Sequence, residues 1–340
     1  MRWTVSLAVA MATVAACGAI QAQVTPSPSF SFAAWLEGVR LEALARGLDE
    51  SVVTAALTGI SAPERTVLER DRTQAETVLT LERYLSGRVT PGARRTGDAM
   101  WARHRTLLRR VSSRYGVSER VIVAVWGFES NYGRFSGVRP TIAALATLAF
   151  DDRRAALFRR ELFSALEILD RGDIDMASLR GSWAGAMGQP QFMPSSYLDF
   201  AQDFDEDGRR DIWSSLPDVF ASIANYLAAH GWQDGERWGR EVVVSQEAAA
   251  RVANVPIREG SCSARRTMTA ALPLDEWQAL GVRLAGGHRL PAGSSLDAAL
   301  VSGESRRFLV YRNYEALLEY NCAHAYAIGV GLLSDALRAP

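Results

Sequence analysis

Residues 118–133 read SERVIVAVWGFESNYG, and this stretch decides how the rest of the chain is interpreted. Ser118 is a favoured helix N-cap and Glu119 a favoured first-turn residue, so the pattern predicts a helix that begins here. The eight residues 121–128 are non-ionisable on every side, which predicts that the helix is buried. Glu129 follows directly, and loss of solvation there should raise its pKa toward neutrality, as a general acid requires.

The alternative interpretation of Glu129 is a structural one. A glutamate at a helix end commonly forms an ion pair, and Arg134 and Arg139 are the nearby candidates. Ion-pair networks perturb pKa values without any catalytic purpose, so this stretch alone does not decide between the two interpretations.

A second informative stretch, GSWAGAMGQPQFMPSSY, occupies residues 181–197. It is rich in glycine but lacks the lysine and the spacing of a phosphate-binding loop. Trp183, Gln189, Gln191 and Tyr197 offer amide groups and aromatic faces that suit a carbohydrate. A packed structural turn is the alternative interpretation.

The composition of the 340-residue chain is that of a folded protein with a sizeable core, since 48% of the residues are hydrophobic and 22% are charged. It excludes a disordered chain, a collagen-like repeat and a disulfide-stapled miniprotein. The 38 basic residues balance the 38 acidic ones, which argues against nucleic acid as a partner. The length predicts one large domain or two to three smaller ones.

The N-terminus predicts export. Residues 1–22 have the pattern of a signal peptide, and 23–31 form a Pro/Ser-rich linker. Val14–Cys17 resembles a lipobox, in which case Cys17 carries a lipid anchor and the protein is an outer-membrane lipoprotein. Cleavage after Ala22 would instead release a soluble periplasmic protein. We expect a periplasmic location in either case.

The remaining chain divides by periodicity. Residues 32–98 predict an N-terminal helical domain, with 87–97 as a loop because of Pro91, Gly92 and Gly97. Residues 99–239 and 312–340 predict a larger helical region, interrupted by a small mixed domain at 240–311 with strand-like segments at 242–244 and 307–311. Cys262 and Cys322 either pair or remain as two separate thiols.

Five motifs occur in a fixed order: residues 129–133, 181–197, 203–213, 224–232 and 320–327. Together they resemble the lytic murein transglycosylase B family, glycoside hydrolase family 103, over roughly residues 30 to 336. The resemblance implies a mainly α fold, with a lysozyme-like helical core, an N-terminal helical domain and a small inserted α/β domain.

The resemblance also implies roles for individual residues. Glu129 matches the single catalytic acid/base. The matching substrate-binding positions are Ser182, Gln191, Tyr226, Tyr320, Asn321 and Tyr326. Tyr84 matches a further cleft tyrosine less well, and Ala323 stands where the family often has serine, which puts one hydrogen bond in doubt. For each tyrosine the alternative is a core residue with a satisfied hydroxyl.

The matched motifs contain one carboxylate for catalysis, whereas most hydrolytic glycosidases need two. Together with the family resemblance, this implies a lyase that acts on the glycan strands of peptidoglycan and needs no cofactor for catalysis. We expect a monomer. A hydrolytic muramidase would need a second carboxylate, for which Asp151 and Asp152 are the candidates. A non-catalytic wall-binding scaffold is the alternative from another class.

An acidic stretch predicts a structural calcium site. Asp203, Asp205, Asp207, Arg209 and Asp211 occupy positions 1, 3, 5, 7 and 9 of an EF-hand-like loop, with Gly208 at position 6. Ser214 stands at position 12, where a glutamate is usual. The family resemblance implies that Asp218, in the next helix, supplies the late ligand and that Arg209 contributes its carbonyl. A solvated acidic turn is the alternative, and the missing second loop argues against a calcium sensor.

Overall fold

The computed structural model describes residues 31–72, 79–291 and 296–338. The predicted signal peptide, Cys17 and nearly all of the predicted linker lie outside the described residues. From Phe32 onward the chain is one unit, mostly helical with a small antiparallel sheet, so the predicted mainly α, lysozyme-like fold is confirmed. Within the described ranges, no helix is both long enough and apolar enough to span a bilayer.

The helices up to Glu129 are α1 (Phe32–Ala45), α2 (Glu50–Leu57), α3 (Arg65–Asp71), α4 (Leu81–Arg88), α5 (Pro91–Arg103), α6 (Arg105–Tyr115) and α7 (Glu119–Ser130). Those that follow are α8 (Thr141–Phe150), α9 (Ala155–Asp170), α10 (Pro194–Phe200), α11 (Leu216–Ala229), α12 (Gln246–Val252), α13 (Leu274–Ala279), α14 (Arg312–Tyr320) and α15 (His324–Ala336), with a short 3₁₀-helix at Arg265–Thr267. The strands are β1 (Arg139–Pro140), β2 (Arg180–Gly181), β3 (Gly239–Val244), β4 (Leu272–Pro273), β5 (Val282–Leu284), β6 (Asp297–Ser302) and β7 (Arg307–Val310).

The central helix α7 is buried, as predicted, and packs against α5, α11 and α15. Every residue from Val121 to Trp126 is buried. Ser118 occupies the N-cap position, but its side chain makes no capping hydrogen bond, so the predicted cap is wrong in that detail. Burial of the apolar residues, rather than the cap, therefore stabilises this helix.

The predicted loop at 87–97 is wrong, because α5 begins inside it. Pro91 stands at the first turn, where its fixed φ suits a helix and its missing N–H is not needed. The Thr90 side chain accepts a hydrogen bond from the Ala93 N–H at 3.0 Å and caps the helix. Gly97 lies within α5, and a glycine is required there because a Cβ would stand 2.9 Å from the Tyr132 hydroxyl.

The small sheet has the strand order β4-β6-β7-β3-β5, and its neighbours are antiparallel. The strand-like segments predicted at 242–244 and 307–311 are both strands, although the second strand ends one residue earlier, at Val310. One face, with Val242 and Leu309, packs against Trp277 of α13. Phe308 and Val310, on the opposite face, join the core that contains α7 and α15. Alternation along β7 thus couples the sheet to the helical core.

The turn between β6 and β7 is attached to α4 by Glu82. Its Oε1 accepts hydrogen bonds from the backbone N–H groups of Ser305 at 2.8 Å and Arg306 at 3.0 Å. Partial burial alone would raise the pKa of Glu82, but these backbone donors lower it to about 2. The sheet is therefore fixed to the helix that carries Tyr84.

The tight contact between α7 and the residues that follow it predicts a specific mutational result. A Cβ at Gly127 would stand 2.7 Å from the Tyr132 ring. Because that ring is buried on both sides, Gly127→Ala should lower the free energy of unfolding by about 1–3 kcal/mol in urea titrations. Gly38 of α1 has no heavy atom within 4 Å of a built Cβ, so Gly38→Ala serves as the control and should be neutral or stabilising. Equal stability of the two variants would contradict the described packing.

Candidate active site

Glu129 lies in the last turn of α7 and is half-buried. The chain then reverses through three successive left-handed residues, Asn131 at φ 50°, Tyr132 at φ 59° and Gly133 at φ 76°. Such conformations cost about 1–2 kcal/mol for each non-glycine residue, so the surroundings must hold them. Ser130 does part of this, because its hydroxyl accepts a hydrogen bond from the Gly133 N–H at 3.0 Å.

Tyr132 completes the reversal. Its ring lies beneath Gly127, and its hydroxyl donates to the Ala93 carbonyl of α5 at 2.9 Å. Burial raises the pKa of Tyr132 to about 12, so the hydroxyl keeps its proton. The end of α7, and with it the direction of Glu129, is thereby fixed to α5.

Three of the tyrosines predicted from the resemblance surround Glu129. The pKa of each is raised, chiefly by burial and further by the negative charge of Glu129; at Tyr226 the charge of Glu319 contributes as well. The rings of Tyr226 and Tyr320 lie 4.7 Å apart, and those of Tyr320 and Tyr326 are stacked at 6.3 Å. The structure thus brings together residues that lie nearly 200 positions apart in the sequence.

The three hydroxyls are not equivalent. Tyr226 donates to the Glu319 carbonyl at 2.8 Å, and Tyr320 donates to the Pro190 carbonyl at 2.9 Å. The buried Tyr326 hydroxyl reaches no polar atom of the described residues with full hydrogen-bond geometry. Its interaction with the Glu129 carboxylate nevertheless contributes to its raised pKa. Tyr84 is buried beside Tyr326 and contributes to the same shift.

Residues 181–197 are attached to α7 through Gln189, one of the residues considered for carbohydrate binding. The Trp126 indole N–H donates to Gln189 Oε1 at 2.7 Å, and Gln189 Nε2 donates to the Trp213 carbonyl at 2.8 Å. Tyr197 is fully buried and donates to the Arg210 carbonyl at 3.1 Å. Both side chains are buried and bonded within the protein, as the alternative of a packed structural turn predicts. A buried tryptophan requires an acceptor for its N–H, and this was the signal in the sequence that could have identified Gln189.

A groove of about 370 Å³ adjoins the tyrosines and is lined by Trp183, Gln191, Tyr226 and Tyr320. Gln191 has a left-handed backbone (φ 53°), and its Nε2 donates to the Gly188 carbonyl at 2.8 Å. A larger hollow of about 790 Å³ elsewhere includes only Arg209 among the predicted site residues. The smaller groove is therefore the one that concentrates the predicted substrate-binding positions.

The other two predicted substrate-binding residues lie in turns. The Ser182 hydroxyl accepts hydrogen bonds from the Ala184 and Ala186 N–H groups at 3.2 Å each, so it stabilises its own loop. Asn321 is half-buried and follows Tyr320 at the end of α14. Ala323 is the N-cap of α15 and makes no side-chain cap. The hydrogen bond doubted from the sequence is therefore absent.

The carboxylates that line the groove are both engaged in structural bonds. Glu161 accepts from the Ser195 N–H at 2.9 Å and from its hydroxyl at 3.0 Å. Glu319 accepts from the Arg265 guanidinium at 2.6 Å. Asp151 accepts from the backbone of its own turn, and neither it nor Asp152 lines this groove.

One of the two arginines considered as ion-pair partners of Glu129 pairs with another carboxylate. Arg139 pairs with Glu64 at 3.0 Å, which fastens β1 to the start of α3. That guanidinium is thus used elsewhere in the fold.

The acidic loop brings three carboxylates together. Oxygens of Asp203, Asp205 and Asp218 lie within 4.8 Å of one another. Asp218 is fully buried and accepts from the N–H groups of Phe204 and Asp211 at 2.8 Å each. Burial, together with the charges of Asp205 and Asp203, raises the pKa of Asp218 to about 6 despite those hydrogen bonds. Within the described chain, no arginine stands within 4.0 Å of the three carboxylates.

The other aspartates of this segment accept hydrogen bonds from its backbone. Asp207 accepts from the Arg209 N–H at 2.8 Å, within the turn. Asp211 accepts from the Trp213 and Ser214 N–H groups at 2.9 Å each, so it shapes the turn after the loop. Three oxygen donors with unbalanced charge fit a hard cation such as Ca²⁺.

Comparisons with known proteins agree with this geometry. Residues 31–335 match the family model of the transglycosylase SLT domain. Membrane-bound lytic murein transglycosylase B of Escherichia coli K12 is 36% identical over 199 residues, which are 58% of this chain and 51% of the relative. The chain thus spans about half the length of this curated relative.

Solved structures are similar over most of the chain. SltB3 of Pseudomonas aeruginosa, in complex with NAG-anhNAM-pentapeptide, has a TM-score of 0.79 and 40% identity, covering 90% of this chain and 79% of SltB3. Escherichia coli Slt35, in complex with calcium, has a TM-score of 0.72 and 28% identity, covering 88% of this chain and 91% of Slt35.

Proposed function

Since the chain belongs to the transglycosylase SLT domain family, we propose that it is a peptidoglycan lytic transglycosylase. It cleaves the β-1,4 bond between N-acetylmuramic acid and N-acetylglucosamine. The observation that carries this proposal is the setting of Glu129, one carboxylate at the end of a buried helix that three tyrosines face. The anhNAM-containing ligand of SltB3 supports the substrate class, because it carries the anhydro end that this reaction forms.

In the proposed mechanism Glu129 acts twice. Protonated Glu129 donates to the glycosidic oxygen as the bond to muramyl C1 breaks, which leaves an oxocarbenium-like centre that the substrate's acetamido group can stabilise. The Glu129 carboxylate then takes the proton of the muramyl C6 hydroxyl while O6 bonds to C1. Every atom of the substrate appears in the two products, so no water is consumed.

The tyrosines have distinct parts in this proposal. Their raised pKa values keep them as O–H donors. The hydroxyls of Tyr226 and Tyr320 donate to backbone carbonyls, and these two residues thereby shape the groove. The further proposed sugar-binding positions are Gln191, Ser182 and Asn321. The Tyr326 hydroxyl can donate a hydrogen bond to Glu129 after Glu129 has given its proton to the glycosidic oxygen. A hydrogen bond to a charged acceptor stabilises that state more than one to a neutral acceptor.

The carboxylates favour a transglycosylase over a hydrolytic muramidase. A hydrolase needs a second carboxylate to activate water or to attack the sugar. Glu161 and Glu319 are held by Ser195 and Arg265, and Asp151 is held in its own turn. Because these carboxylates are engaged in this way, the C6 hydroxyl of the substrate is the proposed nucleophile.

The cellular setting follows from the substrate. We propose a periplasmic protein that binds glycan strands of peptidoglycan as a monomer, without nucleic acid as a partner. The signal peptide at 1–22 and the lipid anchor at Cys17 remain predictions from the sequence.

We also propose that Asp203, Asp205 and Asp218 hold a structural Ca²⁺, with Asp207 and the Arg209 carbonyl as further ligands. The clustering of three carboxylates, of which Asp218 is buried, supports it, and so does the calcium complex of Slt35. The ion would fix the acidic loop, whose neighbour Trp213 is bonded to Gln189. It takes no part in bond cleavage.

Replacement of the proposed acid/base tests the function directly. Glu129→Gln should lower the release of 1,6-anhydromuramyl products from purified sacculi by at least about 100-fold, because the amide cannot transfer the proton. Mass spectrometry identifies the products, and the exposed Glu276→Gln variant on α13 is the matched control. Substantial release by Glu129→Gln would contradict the assignment, and sacculus binding without release by the wild type would favour the scaffold.

The Tyr326 hydroxyl should matter for turnover. Tyr326→Phe should lower kcat by about 10- to 100-fold, the value of a hydrogen bond to a charged group, with little change in stability. Tyr197→Phe removes a buried hydroxyl that bonds only to Arg210 in this account, and it should leave kcat nearly unchanged. Equal kcat values for the two variants would show that Tyr326 does not assist Glu129.

Calcium should raise the melting temperature of chelator-treated protein, and more at about pH 7.5 than at about pH 5. Without the ion, the raised pKa of Asp218 means that its contribution favours folding at low pH and is lost as the pH rises through about 6. Calcium binds the deprotonated form and restores this loss. Asp203→Asn should abolish the response, whereas the exposed Asp199→Asn should retain it. No response in the wild type would exclude the site.

A further inference from the structure

We propose that the disulfide between Cys262 and Cys322 positions the catalytic corner, in place of a helix cap that Ala323 cannot form. The catalytic corner is the turn 321–323 together with Tyr320 and Tyr326 on either side of it. This inference deepens the proposed function, because it assigns positioning residues to the same site.

The position of the turn 321–323 directly affects the positions of Tyr320 and Tyr326. The helix α14 ends at Tyr320 and α15 begins at His324, so only three residues connect them. The charge of Glu129 contributes to the raised pKa values of both Tyr320 and Tyr326. A shift of the turn therefore changes the spacing between two groups that surround the reacting carboxylate. Proximity effects in catalysis are sensitive to displacements of about 1 Å.

The turn holds itself only weakly. Its backbone bonds run from the Asn321 N–H to the Leu317 carbonyl at 3.1 Å and from the Ala323 N–H to the Asn321 carbonyl at 2.7 Å. Alanine is among the poorest N-cap residues, because it has no acceptor for the free N–H groups of the first turn. Ala323 accordingly makes no side-chain cap at the start of α15.

The segment at the other end of the disulfide is firmly anchored. Arg265 binds Glu315 at 2.9 Å and Glu319 at 2.6 Å, both on α14. Ala264 lies in the main core with 5% of its surface exposed, and the Thr267 hydroxyl stands 3.1 Å from His324 Nε2. The disulfide thus connects a weakly held turn to a segment that α14 and α15 already hold.

This arrangement gives the inserted segment a role in the reaction. Residues 258–267 contribute no group to the groove lining. They act instead through the disulfide and through Glu319, whose carbonyl accepts the Tyr226 hydroxyl. Cys262 and Cys322 are positioning residues, since neither sulfur touches the reacting atoms in the proposed mechanism.

The test compares the double variant Cys262→Ala/Cys322→Ala with the same variant carrying Ala323→Ser. At a temperature well below its melting point, the double variant should lose about tenfold in kcat on sacculi, with a smaller change in KM. A serine cap should restore at least half of the lost kcat, because it fixes the first turn of α15 independently of the disulfide.

A full kcat in the folded double variant, or no restoration by Ala323→Ser, would overturn the proposal. A role in stability alone would lower the melting temperature and leave kcat unchanged. Amide hydrogen exchange at residues 320–326 gives a readout that does not depend on activity: it should accelerate in the double variant and slow again with the serine. If the wild type releases no product, the proposed function fails, whereas the exchange data still decide whether the disulfide fixes the corner.

Discussion

The contact between Tyr132 and Gly127 is the constraint on which the site depends. A carboxylate directly after the eight non-ionisable residues of α7 needs the chain to turn away at once, and the turn is made by three consecutive left-handed residues. Their strain is offset because the Tyr132 ring fits beneath a residue without a side chain and bonds to α5. The direction of Glu129 therefore rests on this packing.

A second set of contacts carries this rigidity outward. Trp126, one turn before Glu129, is bonded through Gln189 to the Trp213 carbonyl beyond the acidic loop. The two hydrogen bonds of the Gln189 amide thus connect α7, the loop 181–197 and the segment that follows the acidic loop. Buried networks of this kind are stable only when each member is satisfied. This connection gives the proposed calcium site a structural role beside the proposed active site.

Local patterns in the sequence predicted the parts of the structure that local physics determines. The apolar stretch after Ser118 predicted α7, and the strand-like segments predicted at 242–244 and 307–311 are strands, the second ending at Val310. Pro91 and Gly97 were misinterpreted, because proline suits a first helical turn and the glycine is required by Tyr132. The roles of Gln189 and the pairing of Cys262 with Cys322 arise from contacts between distant segments, which periodicity does not report. The tyrosines around Glu129 were predicted only through the family resemblance.

In the proposed mechanism the C6 hydroxyl of the substrate, and not water, completes the reaction. The most direct test is digestion of sacculi in water enriched in oxygen-18, followed by mass spectrometry of the released fragments. The account predicts 1,6-anhydromuramyl ends without incorporated oxygen-18. Reducing ends that carry one oxygen-18 would contradict it, and would show that a second group in the groove activates water.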